Sequence, residues 1–288
     1  MDSRIMWGIV FGAMAIGGIS SEEGICTYRV GRFEVSALLE RQGRGNPSIL
    51  VNAPPAQVQR YIPEGSYPMG TNTFLIKGGG RNILVDTGFG EAVFDHLKEL
   101  GVAPEQIDAV LLTHMHGDHI GGLQKGGKAL FPKADVYLAL QEKDFWLKDN
   151  DNKQAASALA PYGSRVKTFL PEDIGKIQGS GQAALFPGII PIAAFGHTPG
   201  HTAFMVESEG QRFIIWGDLM HAQLIQFPVP DVSVSYDTDP VAAAVSRKAI
   251  LEYTAANKIP VGGMHLNFPA IGSVTKASSG YSFDPVKP

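Results

Sequence analysis

The chain is poor in cysteine and in uninterrupted runs of charge, and each shortage removes a class of function. Its 288 residues contain a single cysteine, Cys26, which excludes an internal disulfide and a cysteine-based zinc cluster. The formal net charge is -4 and no long basic run occurs, so a nucleic-acid partner is disfavoured. With 44% hydrophobic residues, the chain is long enough to bury a sizeable core.

Long hydrophobic runs are also scarce, and the run near the start is short. No charged residue occurs from Ile5 to Ile19, and small residues lie at Gly18 and Ser20. As a helix this run would be about 22 Å long, less than a bilayer core of roughly 30 Å, so no stable membrane span is expected. Residues 1–20 are interpreted as a signal peptide, with an intrinsic apolar segment as the alternative. The first interpretation predicts a periplasmic or secreted protein, and the second a cytoplasmic one.

Residues 21–288 are predicted to form one domain, because no repeat, low-complexity segment or linker divides them. Strand-like and helix-like segments alternate, with hairpins between them, which is typical of a layered α/β fold. A helix is predicted over residues 239–258, with Asp239 at its N-cap and Pro240 at its first position. Residues 149–187 are polar and weakly periodic, so loops with a short helix are expected there.

Histidine and aspartate recur where predicted strands end. Four strands deliver such residues at their carboxyl ends: the string HMHGDH at 114–119, His197 followed by His201, Asp218, and His265. Ligands and catalytic groups gather at the carboxyl ends of strands in α/β folds. Buried ionisable groups cost several kcal/mol unless they are paired or coordinated. The pattern therefore predicts a metal site.

The number of candidate ligands indicates more than one ion. Five histidines and two aspartates exceed the three protein ligands of a single catalytic zinc. Seven ligands fit two ions when one carboxylate bridges them. Imidazole and carboxylate suit Zn²⁺ first, and also Mn²⁺, Fe²⁺ or Co²⁺. Two divalent metal ions are therefore the expected cofactors.

The unbroken HxHxDH string resembles the signature of the metallo-β-lactamase superfamily. The resemblance covers about residues 28–288. It implies one catalytic domain with an αββα fold, in which two mixed sheets are flanked by helices and a dinuclear metal site lies at one edge. It also implies how the ligands are shared: His114, His116 and His197 for one ion, Asp118, His119 and His265 for the other, and Asp218 as the bridge.

Two assignments near the ligands depend on the same resemblance. In relatives with a doubled GHxPGH string the first histidine is the ligand, which favours His197 and leaves His201 behind the site. The aspartate of LVDTG, Asp86, is expected to orient the site, with a plain turn aspartate as the alternative.

The C-terminal half resembles the methyl parathion hydrolase group, notably in AFGHTPGHTAFMVESEGQ and GDLMHAQLIQF. The resemblance implies a metal-bridging hydroxide that attacks a phosphotriester or an aryl or carboxylic ester, and it implies a homodimer. Asp118 and Asp218 would handle protons. His221 would protonate the leaving group or orient the developing oxyanion, with a position behind the site or at the surface as the alternative.

Three aromatic residues are candidates for the substrate pocket. Trp146, in KDFWL, matches the part of the methyl parathion hydrolase group that contributes a pocket aromatic. Phe74 and Phe227 are further pocket candidates, although core packing is the favoured interpretation for both. Residues 147–188 are expected to border the pocket.

Hydrolysis of a small-molecule phosphotriester or aryl ester is the predicted function, and three others are alternatives to it. A lactonase that cleaves acyl-homoserine or similar lactones is the main alternative, because the same nucleophile serves both reactions. An aromatic cup around Trp146 would favour aryl groups, and a long apolar groove would favour acyl chains. A non-catalytic metal-binding protein is disfavoured because every expected ligand is present, and nucleic-acid processing is disfavoured by the charge.

Overall fold

Two mixed β-sheets lie face to face in the computed structural model, which describes residues 19–177 and 184–287. Most of the predicted signal peptide, residues 1–18, falls outside the described residues. The strands, numbered along the chain, are β1 (Ile19–Glu22), β2 (Ile25–Val30), β3 (Phe33–Gly45), β4 (Leu50–Val51), β5 (Tyr67–Gly78), β6 (Arg81–Val85), β7 (Ala109–Leu111), β8 (Gln124–Lys125), β9 (Lys128–Ala129), β10 (Asp135–Ala139), β11 (Val166–Phe169), β12 (Ile189–Ala193), β13 (Thr202–Ser208), β14 (Gln211–Ile215), β15 (Ser233–Val234), β16 (Val261–Gly262), β17 (Ile271–Lys276) and β18 (Tyr281–Pro285).

Helices cover the outer faces of the sheets. Their bounds are α1 (Pro55–Tyr61), α2 (Val93–Glu99), α3 (Gly117–Ile120), α4 (Leu140–Asp144), α5 (Lys153–Leu159), α6 (Gln223–Gln226) and α7 (Pro240–Asn257). None of these helices, in the described part of the chain, is both long and apolar enough to cross a bilayer.

The strand order shows that both sheets combine parallel and antiparallel pairs. The first sheet has the order β1-β2-β3-β5-β6-β7-β10-β11, and the second has β12-β13-β14-β16-β17-β18. In the first sheet the strands from β6 to β11 pair in parallel, and in the second β14 pairs in parallel with β16. The predicted αββα architecture is confirmed.

The hydrophobic pattern of β5 explains the layers. Phe74 and Ile76 belong to the core between the two sheets, whereas Leu75 packs in a second core under α2, with Val93 and Leu97. Successive side chains of a strand point to opposite faces, so covering both faces demands a continuous apolar run. This explains why three apolar residues, 74–76, follow one another in the sequence.

Helix α7 covers the second sheet and begins as predicted. The Asp239 carboxylate accepts hydrogen bonds from the backbone N–H groups of Val241 and Ala242, and Pro240 follows it. Ile250 and Leu251 are buried in the core that includes the second sheet. An amphipathic helix gains most of its stability from such burial.

Parallel pairing sets the position of the candidate site. β6 and β7 end together at Val85 and Leu111, and β14 and β16 end together at Ile215 and Gly262. The residues that follow these strands therefore meet at one edge of the sandwich, where the two sheets face each other.

The structure also contains elements that the pattern did not predict. Within residues 149–187 the expected short helix is α5, but the segment also holds β11, which extends the first sheet. The C-terminal strands β17 and β18 form a further hairpin on the second sheet.

Candidate metal centre

Three histidines predicted to bind one ion converge on one point. His114 Nε2 lies 2.9 Å from His116 Nδ1, which lies 3.0 Å from His197 Nε2. His114 and His116 follow β7 of the first sheet, and His197 follows β12 of the second. Loops from both sheets therefore supply this group.

The second predicted group lies beside the first and shares a carboxylate with it. Asp118 Oδ2 is 3.4 Å from His265 Nε2 and 3.8 Å from His119 Nε2. Asp218 lies between the groups, with Oδ1 at 3.2 Å from His119 Nε2 and Oδ2 at 3.3 Å from His197 Nε2. All seven predicted ligands thus lie together.

The remaining ring nitrogens of these histidines show which nitrogen faces the centre. His197 Nδ1 donates to Asp237 Oδ1 at 2.8 Å, His119 Nδ1 donates to Asp86 Oδ2 at 2.7 Å, and His265 Nδ1 donates to the Gly70 carbonyl at 3.1 Å. In each neutral ring the other nitrogen, Nε2, therefore presents a lone pair to the centre. Asp86 lies where the sequence predicted, behind a candidate ligand.

Lone pairs that face one another across about 3 Å call for a positive charge between them. Among the described residues, His119 Nε2 and Asp218 Oδ1 have no hydrogen-bond partner although both are buried, which is costly unless a ligand satisfies them. Although burial disfavours the charged ring, the carboxylates of Asp218 and Asp86 raise the pKa of His119 well above its usual range. The donor set therefore fits divalent cations that prefer nitrogen and oxygen.

Burial and neighbouring charges also set the protonation of the first group. Burial lowers the pKa of His116 to about 4, and it holds the pKa of His114 well below its usual range. Burial opposes the ionisation of Asp218, but the surrounding imidazoles, His119 first, keep the pKa of its carboxyl well below its usual range. Although burial opposes its charged form, hydrogen bonds to the carboxylates of Asp218 and Asp237 raise the pKa of His197 to about 9, so a metal ion would displace a proton from this ring, whereas His114 and His116 are neutral near neutral pH.

His201, the second histidine of GHTPGH, lies outside the converging groups. It is fully buried, its Nδ1 donates to the Ala194 carbonyl at 2.8 Å, and its Nε2 accepts from the Asp218 backbone N–H at 2.9 Å. Both ring nitrogens are therefore committed to the protein, and His201 holds the backbone of Asp218.

His221 reaches the floor of the site. Its Nε2 lies 3.1 Å from Asp218 Oδ2, and its ring stacks on His265 with centroids 4.8 Å apart. Its backbone N–H donates to Gln226 Oε1, which fixes the turn after Asp218. The position therefore allows a role in proton transfer, as the sequence suggested.

A cavity of about 550 Å³ opens above these residues. Its floor contains His116, Asp118, His197, Asp218, His221 and His265. Its walls are formed by Arg44, Ile49, Met69, Thr71, Phe89 and Tyr236, among others. Sequence reasoning missed these wall residues, because they come from separate strands and loops that share no local pattern.

The predicted pocket aromatics do not line this cavity. Phe74 is fully buried between the sheets. Phe227 is buried beside Trp216 and Phe283, next to a separate cleft. Trp146 lies close to His116, with ring centroids 5.4 Å apart, but it packs behind that ring rather than in the wall.

The described part of the segment expected to border the pocket does not line it either. No described residue of the segment, in 147–177 or 184–188, belongs to the cavity lining. The reason is topological, because this stretch carries β11 along the outer edge of the first sheet. Phe89 and Tyr236 supply the aromatic surface instead.

Two buried carboxylates behind the histidines were also missed. Asp237 holds His197 and lies 3.7 Å from the buried guanidinium of Arg247. Glu142 is fully buried and lies behind the loops that carry His116 and His197. Asp237 had no sequence signal, whereas Glu142 follows a predicted strand end and the same rule that found the histidines could have found it.

Comparisons with known proteins agree with this geometry. Residues 66–257 match the model of the "Metallo-beta-lactamase superfamily". An atrochrysone carboxyl ACP thioesterase of Passalora fulva is 30% identical over 159 residues, which are 52% of this chain and 38% of the thioesterase. Ribonuclease TTHA0252 of Thermus thermophilus is 28% identical over 189 residues, 60% of this chain and 41% of that protein. The matches thus span about two fifths of these relatives.

Solved structures match over nearly the whole chain. The hydrolase AbOPH of the beta lactamase superfamily is 30% identical with a TM-score of 0.82, over 92% of this chain and 98% of AbOPH. AidC, a dizinc quorum-quenching lactonase, has the same fold, with 24% identity and a TM-score of 0.78 over 95% of this chain and 99% of AidC. The chain therefore belongs to the metallo-beta-lactamase superfamily.

Proposed function

We propose that the protein is a metal-dependent hydrolase of small esters, with aryl esters and aryl phosphotriesters as its first substrate class. One observation carries this proposal: seven residues with nitrogen and oxygen donors converge at the base of an open cavity of about 550 Å³, and five of them line its floor. Such a donor set at the base of an apolar cavity is the arrangement expected of a metallohydrolase.

The distances between the donor atoms suggest which residues would bind each ion. His114, His116 and His197 would hold one divalent ion, Asp118, His119 and His265 would hold the other, and Asp218 faces both groups. Zn²⁺ is the first choice for this donor set, with Mn²⁺, Fe²⁺ and Co²⁺ as alternatives. The chemistry such ions supply when bound is a water of lowered pKa and polarisation of the scissile carbonyl or phosphoryl oxygen.

The protein's own groups would orient the ester and manage its protons. Phe89 and Tyr236 give the cavity two aromatic side chains against which an aryl group can pack, and Met69 and Ile49 extend the apolar wall. Asp218 and His221 lie at the floor 3.1 Å apart, so a proton can pass between them. Asp118, partly exposed, can exchange protons with solvent.

Lactones are the second candidate class, and the position of His221 supports it. The alkoxide that leaves when a lactone ring opens is a strong base and needs a proton, whereas an aryloxide needs little help. His221 is buried on the cavity floor, and burial lowers its pKa to about 4, so the neutral ring would serve the leaving group through its N–H. The lactonase relatives in solved structures share only the fold at 24% identity or less, so they do not decide the substrate.

The test is a side-by-side measurement of kcat/KM for an aryl phosphotriester, an aryl carboxylic ester and an acyl-homoserine lactone on zinc-loaded protein. His116→Ala, which removes a predicted ligand, serves as the control for contaminating activity. We expect the aryl substrates to be preferred and the variant to lose at least about a hundredfold in rate. A large preference for the lactone would replace the first class by the second, and no turnover of any of the three by metal-loaded protein would refute the proposal.

A further inference from the structure

Glu142 is a buried carboxylate that the proposed chemistry does not use. It lies in α4, directly after β10, and its side chain is fully buried. β10 is the parallel neighbour of β7, so Glu142 sits at the same sheet edge as the HMHGDH string. Burying a carboxylate is expensive unless several donors compensate it, so its surroundings need an explanation.

The two oxygens of this carboxylate serve two different loops. Oε1 accepts from the backbone N–H of Met115 at 2.9 Å and from Trp146 Nε1 at 2.6 Å. Oε2 accepts from Thr198 Oγ1 at 2.6 Å and from the backbone N–H of Gly200 at 3.0 Å. Met115 stands between His114 and His116, and Thr198 follows His197.

Close packing reinforces these bonds. Gly200 lies so near the backbone of Glu142 that a side-chain carbon at position 200 would overlap it. The turn after His197 therefore rests directly on the start of α4. The loop after β7 belongs to the first sheet and the turn after β12 to the second, so Glu142 is a point where the two sheets are joined beside the centre.

We propose that Glu142 is a positioning residue that sets the separation between the loop bearing His114 and His116 and the turn bearing His197. Donors from Met115, Thr198 and Gly200 hold both loops to this carboxylate, which fixes the approach of His116 Nδ1 to His197 Nε2 at 3.0 Å. A fourth donor, Trp146 on the same helical segment, orients the carboxylate itself. This inference rests on the proposed function, because it concerns the residues proposed to bind the first ion.

The carboxylate form is essential to this arrangement. A glutamine at position 142 has one oxygen and one NH₂ group, so whichever way it turns, its NH₂ meets two donors on one side. In one orientation the loop at Met115 would lose its hydrogen bond, together with the bond from Trp146. In the other orientation the turn at Thr198 and Gly200 would lose both of its bonds, and in each case N–H or O–H donors would face an NH₂ group. Glu142→Gln should therefore move one loop relative to the other while keeping the volume of the side chain.

The experiment measures metal binding on the full chain rather than turnover alone. The apo forms of the wild type, Glu142→Gln and Thr198→Val are titrated with Co²⁺, whose visible absorption reports the geometry of its ligands. Zn²⁺ affinity is then measured by competition with a chelator. Thr198→Val removes one donor to Oε2 and keeps the carboxylate.

Glu40→Gln is the matched control. Glu40 is also buried, and its carboxylate accepts hydrogen bonds from the backbone N–H groups of Phe89, Glu91 and Val93. Neither loop with a first-group histidine contacts it through these bonds. Its substitution should lower the melting temperature about as much as Glu142→Gln does, without changing the Co²⁺ spectrum.

We expect Glu142→Gln to weaken the tighter-bound ion by roughly 10- to 100-fold and to alter the Co²⁺ spectrum, with a smaller change in Thr198→Val. Wild-type affinity and spectrum in Glu142→Gln would overturn the inference even if stability falls. If Glu142→Gln does not fold, an unchanged spectrum and affinity in Thr198→Val would overturn it. A wild type that binds no Co²⁺ or Zn²⁺ would refute the proposed function itself, whereas a normal wild type with unaffected variants would refute only this inference.

Discussion

At the scale of the residue, the histidines are distinguished by their second nitrogen. His197 uses Nδ1 to bind a carboxylate and leaves Nε2 facing the centre, whereas His201, four residues later, uses both nitrogens for protein contacts. Two histidines of one GHTPGH string thus have different positions. The resemblance favoured His197 as the ligand, and the hydrogen bonds supply the physical reason, because they leave a free nitrogen on His197 and none on His201.

Removal of the carboxylate behind His197 should weaken metal binding. Asp237→Asn replaces the acceptor of the His197 Nδ1–H bond by a neutral amide, so the ring is less basic and less firmly oriented. We expect Zn²⁺ affinity to fall roughly 10- to 100-fold in a chelator competition assay. Asp239→Asn is the matched control, because its exposed carboxylate only caps α7 and asparagine caps equally well. Equal affinities of Asp237→Asn and the wild type would contradict this role.

Removal of the His221 side chain should lower kcat/KM more for lactones than for aryl phosphotriesters. If His221 donates a proton to the leaving group, His221→Ala should lower kcat/KM for a lactone by roughly 10²- to 10⁴-fold and for an aryl phosphotriester by less than about tenfold. Metal content must be measured on the same preparation, because His221 also touches Asp218. Equal losses for both substrates would show that His221 supports the site in general and does not act as a leaving-group acid.

At the scale of the element, the sequence predicted the strands that precede the candidate ligands, but it did not predict the residues of the cavity wall. The strands before His114, His197, Asp218 and His265 are present as predicted, because each is a short apolar run with both faces covered. β11 and β18 were missed because they are edge strands with exposed, mixed residues, which weakens their pattern. The cavity wall was missed because no local periodicity relates Met69, Phe89 and Tyr236.

A substitution of Phe74 tests whether this residue belongs to the hydrophobic core or to the substrate pocket. Its side chain lies between the sheets and touches neither the cavity nor solvent. Phe74→Ala should lower the free energy of unfolding by about 3–5 kcal/mol, as measured by chemical denaturation. KM for the preferred ester should stay near the wild-type value in the folded fraction. A large change in KM with little loss of stability would place Phe74 in the substrate pocket after all.

At the scale of the whole molecule, the candidate ligands connect the two sheets. His114, His116, Asp118 and His119 follow a strand of the first sheet, whereas His197, Asp218 and His265 follow strands of the second. Bound ions would therefore crosslink the halves of the sandwich. The predicted homodimer is a separate matter, since the structure contains one chain, and it stays a prediction that light scattering can test.

Removal of the metal should accordingly lower the thermal stability of the whole domain. An ion that binds only the folded chain, and is present at a free concentration a thousand times its dissociation constant, stabilises the fold by about 4 kcal/mol per site. We expect a chelator to lower the melting temperature by several degrees and added Zn²⁺ to restore it. His116→Ala should be less sensitive to the chelator. A melting temperature that is identical with and without metal would argue against ligands drawn from both sheets.

The wall and the floor of the cavity come from different parts of the chain. Every candidate donor follows a strand of one of the two large sheets, whereas Arg44, Ile49, Met69, Phe89 and Tyr236 donate nothing to the centre. Reactivity and substrate choice are thus encoded at separate positions. A library that varies only the wall would explore new substrates with the same reaction machinery, so this scaffold suits directed evolution of specificity.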